Sequence, residues 1–162
     1  MKLAKIKILK KINKIWIFII FMPMLIFFIF NTGIVFPISD SLKGYMFFSF
    51  PYFFDFKKNQ FVIFEKYLIT AEEKRRLLKE VIGLPGDKIL IKENEMWVND
   101  NKIGELLSKT SLGKKLSPNN RKIVPKDHLF VRGTDKQSFD SRYEEFGFVP
   151  FKDIQKKAVR LW

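Results

Sequence analysis

A lysine, Lys79, stands just ahead of the rigid turn Gly83-Leu84-Pro85-Gly86-Asp87, and upstream the element Ser39-Asp40-Ser41 follows a long apolar run. A serine hydroxyl is a poor nucleophile until a neighbouring base takes its proton, and lysine can take it only when neutral. Its reference pKa is about 10.4, so reaching 7 to 8 disfavours the ammonium by roughly 3 to 4 kcal/mol, which burial supplies. These residue types therefore suit attack by a serine with lysine as general base. Composition closes the other routes. The chain has no cysteine, which excludes a thiol nucleophile, a cysteine-ligated zinc and any disulfide framework. Its one histidine, His128, cannot by itself build a multi-imidazole zinc site, and it precedes an apolar strand, where a satisfied structural histidine is the simpler reading. Glu80 would raise the pKa of Lys79 if it faced the amine. On a strand, adjacent side chains point to opposite faces, so Glu80 turns away.

The elements that must position these residues begin with the amino-terminal third. Six lysines (Lys2, Lys5, Lys7, Lys10, Lys11, Lys14) precede the apolar run and no acidic residue occurs before Asp40, the pattern of a terminus held in the cytoplasm. Ile15 to Phe30 carries no charge and continues past Asn31-Thr32-Gly33 into Ile34-Val35-Phe36. At about 1.5 Å per helical residue, a helix over 15–36 can cross a bilayer core of about 30 Å. A cleavable leader is the rival reading, but no Ala-x-Ala-like site follows the run. The expected organisation is a basic tail over 1–14, an anchor over 15–36 and an extracytoplasmic domain over 37–162. Much of the net charge of +13 sits in the six lysines of the tail and the remaining surplus is spread among acids, so nucleic acid is not the expected partner.

Past the anchor, short extended runs alternate with turn residues, which predicts a mainly β, antiparallel, barrel-like domain. Strands are expected at Phe61 to Phe64, Lys88 to Lys92, Met96 to Val98, Leu129 to Val131 and Lys157 to Trp162, with a hairpin tip at Asn99-Asp100-Asn101. Thr70 with Glu73 forms a capping box and predicts a short helix or turn through Lys74 to Leu78. Leu106 to Arg121 reads as a solvated loop or small insertion. The aromatic stretch Met46 to Phe56 divides between core and a surface that docks at the bilayer interface.

Three segments resemble the signal peptidase I family of serine-lysine peptidases. Ser39-Asp40-Ser41-Leu42 is similar to the family's Ser-x-Ser-Met element. Lys79 to Asp87 is similar to its Lys-Arg-x-x-Gly-Leu-Pro-Gly-Asp. Gly133 to Arg142 with Gly147 looks like its Gly-Asp-Asn-x-x-x-Ser-x-Asp-Ser-Arg stretch. The resemblance implies that Ser41 is the nucleophile and Lys79 the base, with the Ser41 N–H and the Ser39 hydroxyl holding the oxyanion. It implies that Ser138 orients Lys79, that Asp140 and Arg142 form a supporting ion pair, and that no metal or cofactor takes part. The implied partners are exported precursors carrying signal peptides, cut after small residues at the outer face of the inner membrane.

Some positions depart from the family pattern. Lys43-Gly44-Tyr45 replaces the common Pro-Thr, Asn59-Gln60 replaces a Gly-Asp, and Glu80 stands where arginine is common. The Ser-Leu-x-Gly-Tyr form and the short length look more like the conjugative-transfer branch, whose substrate is a pilin precursor. A reading from a different class is a membrane-tethered β domain that binds a partner without catalysis. The presence of Ser41, Lys79, Ser138 and Asp140 together speaks against it.

Overall fold

The computed structural model describes the backbone of residues 2–37, 45–52, 55–68 and 73–161, with side chains for residue 16 and from 18 onward within those ranges. Two compact units divide the chain, Met1–Gly33 and Ile34–Trp162. The first is one helix, α1 (Lys2–Asn31), which retains Pro23 in its interior. It ends where Asn31 Nδ2 and Thr32 Oγ1 turn back to the carbonyls of Phe27 and Phe28, at 2.8 and 2.9 Å, ahead of Gly33. The β-branched Ile34 and Val35 then enter strand β1 (Gly33–Val35). The helix expected over 15–36 ends earlier, at Asn31, and Gly33 to Val35 are strand. Among the described residues no helix is long and apolar enough to cross a membrane.

The second unit is mainly antiparallel β. Its strands are β2 (Phe47–Phe50), β3 (Phe61–Tyr67), β4 (Lys74–Gly83), β5 (Ile89–Lys92), β6 (Glu95–Val98), β7 (Asn101–Glu105), β8 (His128–Arg132), β9 (Val149–Pro150) and β10 (Ile154–Arg160). A seven-stranded sheet has the order β1-β2-β10-β3-β4-β8-β9, and a three-stranded sheet the order β5-β6-β7. The expected strands all appear. The last is displaced, however, because Ile154 to Ala158, not the terminal residues, match the apolar register of β3. The hairpin tip between β6 and β7 holds Asn99 at φ 54°, where an asparagine is tolerated.

The helix or turn expected through Lys74 to Leu78 is corrected to strand; Thr70 of the capping box lies outside the described residues. The reason lies in the neighbours. Leu77 and Leu78 stand opposite Phe64 and Ile63 of β3. Leu77 packs on the cluster of Val62, Phe64, Val81 and Leu129, and Leu78 on the cluster of Phe47, Ile63 and Ala158. Only an extended backbone sends two adjacent leucines to opposite faces of a sheet, so tertiary burial overrides the local cap.

A third cluster, built on Met96, Val98, Val124, Phe130 and Tyr143, joins the small sheet to β8. Leu106, Leu116 and Asn119 are buried, so the segment over 106–121, expected as a solvated loop or small insertion, is pinned at these points. Asn119 Nδ2 donates to the Ser141 carbonyl at 3.0 Å, and the Asn119 N–H to the Arg142 carbonyl at 2.8 Å. In the aromatic stretch Phe47 is fully buried, Phe48 and Phe50 are half-buried, and Phe53 lies outside the described residues.

Candidate active site

Strand β4 carries Lys79 into the interior. Its partner on β3 is Val62, and two residues on, Val81 pairs with Val131 of β8. Alternation buries Lys79 and Val81 and turns Glu80 to the other face, where its carboxylate accepts from Arg132 Nη2 at 3.2 Å. The concern that Glu80 would hold Lys79 charged is thus answered by strand geometry: Glu80 has its own cation. Lys79 is only 5% exposed, and its Nζ donates to Ser138 Oγ at 2.6 Å. Burial pushes the Lys79 amine from 10.5 down to about 8, with Asp140 and Asp135 opposing the shift and Arg142 aiding it. An amine at about 8 is neutral in about one molecule in ten at pH 7 and in half at pH 8, far more than an exposed lysine offers a general base.

The turn after β4 sets where the strand ends. Asp87 N–H bonds to the Leu84 carbonyl at 3.0 Å across Pro85 and Gly86, and Gly86 has φ 89°, a backbone that glycine adopts without steric cost. Asp87 Oδ2 accepts from the Leu84 N–H at 2.7 Å and closes the turn from within. At Gly83 a Cβ would stand 2.9 Å from Phe130 Cβ, so this glycine allows β8 to pack closely. The motif beside Lys79 is therefore a strand terminator that fixes the lysine's height in the sheet.

Ser138 is held by a loop that leaves β8 at Gly133 and returns at Arg142. Asp140 is fully buried and accepts from the N–H groups of Gly133 at 3.1 Å and Arg142 at 3.2 Å. Its two carboxylate oxygens also meet Arg142 Nε at 2.9 Å and Nη2 at 3.1 Å, a two-point pairing. Arg142, 2% exposed, goes on to the carbonyls of Ser138 at 2.8 Å and Glu105 at 3.0 Å. Asp140 and Arg142 thus lock both ends of the loop on either side of Ser138. Ser141 Oγ accepts from the Val131 N–H at 3.1 Å and ties the loop to β8.

Gly133 plays a part that spacing alone did not disclose. A Cβ there would collide with Ser138 Oγ and lie 2.9 Å from Lys79 Nζ, so the absent side chain is the space in which the two groups meet. Its presence in the quoted motif was the available signal. His128 lies apart from this cluster, its Nδ1 hydrogen-bonded to the Lys126 carbonyl at 2.7 Å. Of the residues singled out from sequence, Lys79, Ser138, Asp140 and Arg142 come together; Ser39 and Ser41 lie outside the described residues.

A cavity of about 600 Å³ opens beside Lys79. Val35, Phe36 and Pro37 line it from the segment before Ser39, Ser49 and Ile63 from β2 and β3, and Arg75 to Lys79 from β4.

The sequence matches agree with this arrangement. The family model described as "Signal peptidase, peptidase S26" matches residues 9–162. The chain is 32% identical over 123 residues to signal peptidase I P of Bacillus subtilis subsp. natto, covering 63% of this chain and 64% of that protein. It is 30% identical over 125 residues to signal peptidase I of Rickettsia bellii strain OSU 85-389, covering 56% of this chain and 43% of that protein. The matches therefore span less than two thirds of the length of these relatives. A crystal structure of a signal peptidase I from Enterococcus faecalis V583 aligns with a TM-score of 0.41 at 22% identity, over 62% of this chain and 93% of that one. The family assignment rests on the sequence match, which runs through the Lys79 strand and the Ser138 loop almost from end to end: the chain belongs to the signal peptidase S26 family.

Proposed function

We propose that the protein is a serine endopeptidase that removes signal peptides from exported precursors, with Ser41 as nucleophile and Lys79 as general base. The observation that carries the reading is the buried Lys79 amine, lowered to about 8 and hydrogen-bonded to Ser138. A lysine on a plain structural strand gains nothing from such burial, whereas a base needs it. Pro37 lines the cavity that Lys79 lines, and Ser41 follows four residues later, a contour of at most about 14 Å. That tether is short enough for Ser41 to work at Lys79.

In this mechanism Ser41 Oγ attacks the scissile carbonyl as its proton passes to neutral Lys79. The Ser41 N–H and the Ser39 hydroxyl stabilise the oxyanion, and a donor of that kind typically contributes about 10²- to 10³-fold in rate. The Lys79 ammonium then protonates the leaving amine, and water, deprotonated by the same lysine, hydrolyses the acyl-enzyme. Ser138 aims the amine; Asp140 and Arg142 hold Ser138.

The amino-terminal segment holds the enzyme at the membrane that its substrates cross. Side chains from Phe18 to Phe30 on α1 are exposed all round the helix, including Phe18, Ile20, Phe21, Leu25 and Ile29, a pattern suited to lipid and costly in water. The lysine-rich start favours a cytoplasmic amino terminus and an extracytoplasmic peptidase domain.

The deciding assay incubates the purified full-length protein in detergent with an exported precursor, beside Ser41→Ala and Lys79→Ala variants. Cleavage by the parent and loss of at least about 10³-fold in both variants is the expected result. Equal cleavage by all three sinks the dyad.

A further inference from the structure

The cavity beside Lys79 is not uniform along its length. Strand β4 pairs with β3 from Lys74 to Glu80 but meets β8 only from Glu80 to Gly83. Among the described residues, then, no strand pairs with Lys74 to Leu78 on the side away from β3. The cavity runs along β4 here, lined by five consecutive residues, Arg75 to Lys79, and by Ser49, Ile63 and Lys156 from the strands on its β3 side. Near Lys79 its floor is apolar, formed by Val35, Ile63 and Leu78; toward the start of β4 its wall becomes cationic, with Arg75 and Arg76 joined by Lys156 of β10. No acidic residue occurs among the described lining residues. Glu65, opposite Arg76 in the β3–β4 register, lies outside the lining, and the neutral Gln155 amide accepts from Arg76 Nη2 at 3.3 Å. Arg75 and Arg76 are exposed, so both guanidinium groups are available to a ligand.

We propose that Arg75, Arg76 and Lys156 form a cationic subsite that selects an acidic side chain in the peptide substrate, three to five residues from the scissile bond. The proposal rests on the reading of Lys79 as the base at the point of cleavage. The distance follows from strand geometry. Both β4 and an extended peptide beside it advance about 3.3 Å per residue. Arg76 and Arg75 stand three and four residues from Lys79, about 10 and 13 Å away along β4; they project from opposite sides of the strand into the one cavity they both line, and so flank substrate residues at a like remove from the cut. The apolar floor accepts small or aliphatic side chains in between, and the cations give register and charge selectivity. An acidic peptide residue, more than a lipid phosphate, fits a cationic wall continuous with the lysine and the open strand edge.

The test uses the full-length protein in neutral detergent and one signal-peptide-like sequence carrying a single Asp, placed in turn at positions three to five on either side of the scissile bond. Matched Asn peptides serve as references. At one position the ratio of kcat/KM for Asp over Asn is expected to be about threefold or more, falling to about one in Arg75→Gln/Arg76→Gln and at high salt. A ratio of one at every position, or a preference that survives the double variant, overturns the subsite. Binding of fluorescent, uncleavable versions with Pro after the scissile position, read by anisotropy, separates this from the reading of the catalytic residues. Tighter binding of the Asp peptide that disappears in the double variant supports the subsite even where no peptide is cut, in which case the catalytic reading is what falls. Equal binding of both peptides, with a variant-sensitive affinity for phosphatidylglycerol vesicles over phosphatidylcholine ones, assigns the patch to lipid and overturns the proposal.

Discussion

Lys79 holds its amine where water cannot solvate an ammonium, and two measurable consequences follow. The first concerns rate: a base with a pKa of about 8 is inactive when protonated, so kcat/KM should climb tenfold per pH unit below that value and level off above it. A flat profile from pH 6 to 9 would remove lysine from the role. The second concerns stability. The folded-state pKa is lower than the unfolded value of 10.5, so between about 8 and 10.5 the unfolded chain binds more protons and stability rises with pH. Below about 8 the full cost of the buried ammonium, roughly 3 kcal/mol, is present; above 10.5 it is gone. Lys79→Met should therefore abolish cleavage while raising the denaturation midpoint at pH 7, with a smaller gain in stability between pH 8 and 10.5, as urea titrations at several pH values will show. Ser138→Ala leaves the lysine in place but unaimed, and a loss of about 10- to 10²-fold in kcat/KM is expected. Gly133→Ala should cost a similar factor in rate and about 1 to 3 kcal/mol of stability, because the added methyl occupies the space between Ser138 and Lys79.

Between β8 and the returning chain, the loop from Gly133 to Arg142 works as a unit closed by one buried ion pair. Removing one partner leaves the other charge unpaired, so Arg142→Ala should destabilise the protein by about 3 to 5 kcal/mol and loosen Ser138 with it. Thermal denaturation together with kcat/KM checks both effects, and a variant with parental stability would argue that the pair is dispensable. This loop was legible as a motif, and its residue types stand in sequence in the order the structure uses them. What spacing could not convey was its closure: the Arg142 bonds to the Glu105 and Ser138 carbonyls depend on where β7 comes to lie. Strand β4 shows the reverse case. Local signals predicted a helix or turn before Lys79, and the sheet overruled them because Leu77 and Leu78 each had an apolar cluster waiting on opposite faces.

At the scale of the whole chain, the amino-terminal helix and the β unit are separate compact bodies, each with its own apolar demand. The helix exposes its apolar side chains, so the full-length protein should float with lipid vesicles, and replacing Phe18, Ile19, Phe27 and Phe28 with Ser should release it; flotation of the variant equal to the parent would assign attachment to the β unit. From sequence alone came the chemistry on offer and its exclusions: no cysteine, one histidine, a lysine ahead of a glycine-proline-glycine turn, and a mainly β pattern behind a basic, apolar start. These are properties of residue type and local order, which the chain carries whether folded or not. Tertiary structure alone decided that Lys79 is buried and Glu80 is not, and that Gly133 is the gap in which Lys79 and Ser138 meet. Burial, close approach and strand register each depend on neighbours distant in sequence, and Ser138 lies 59 residues beyond the lysine it touches.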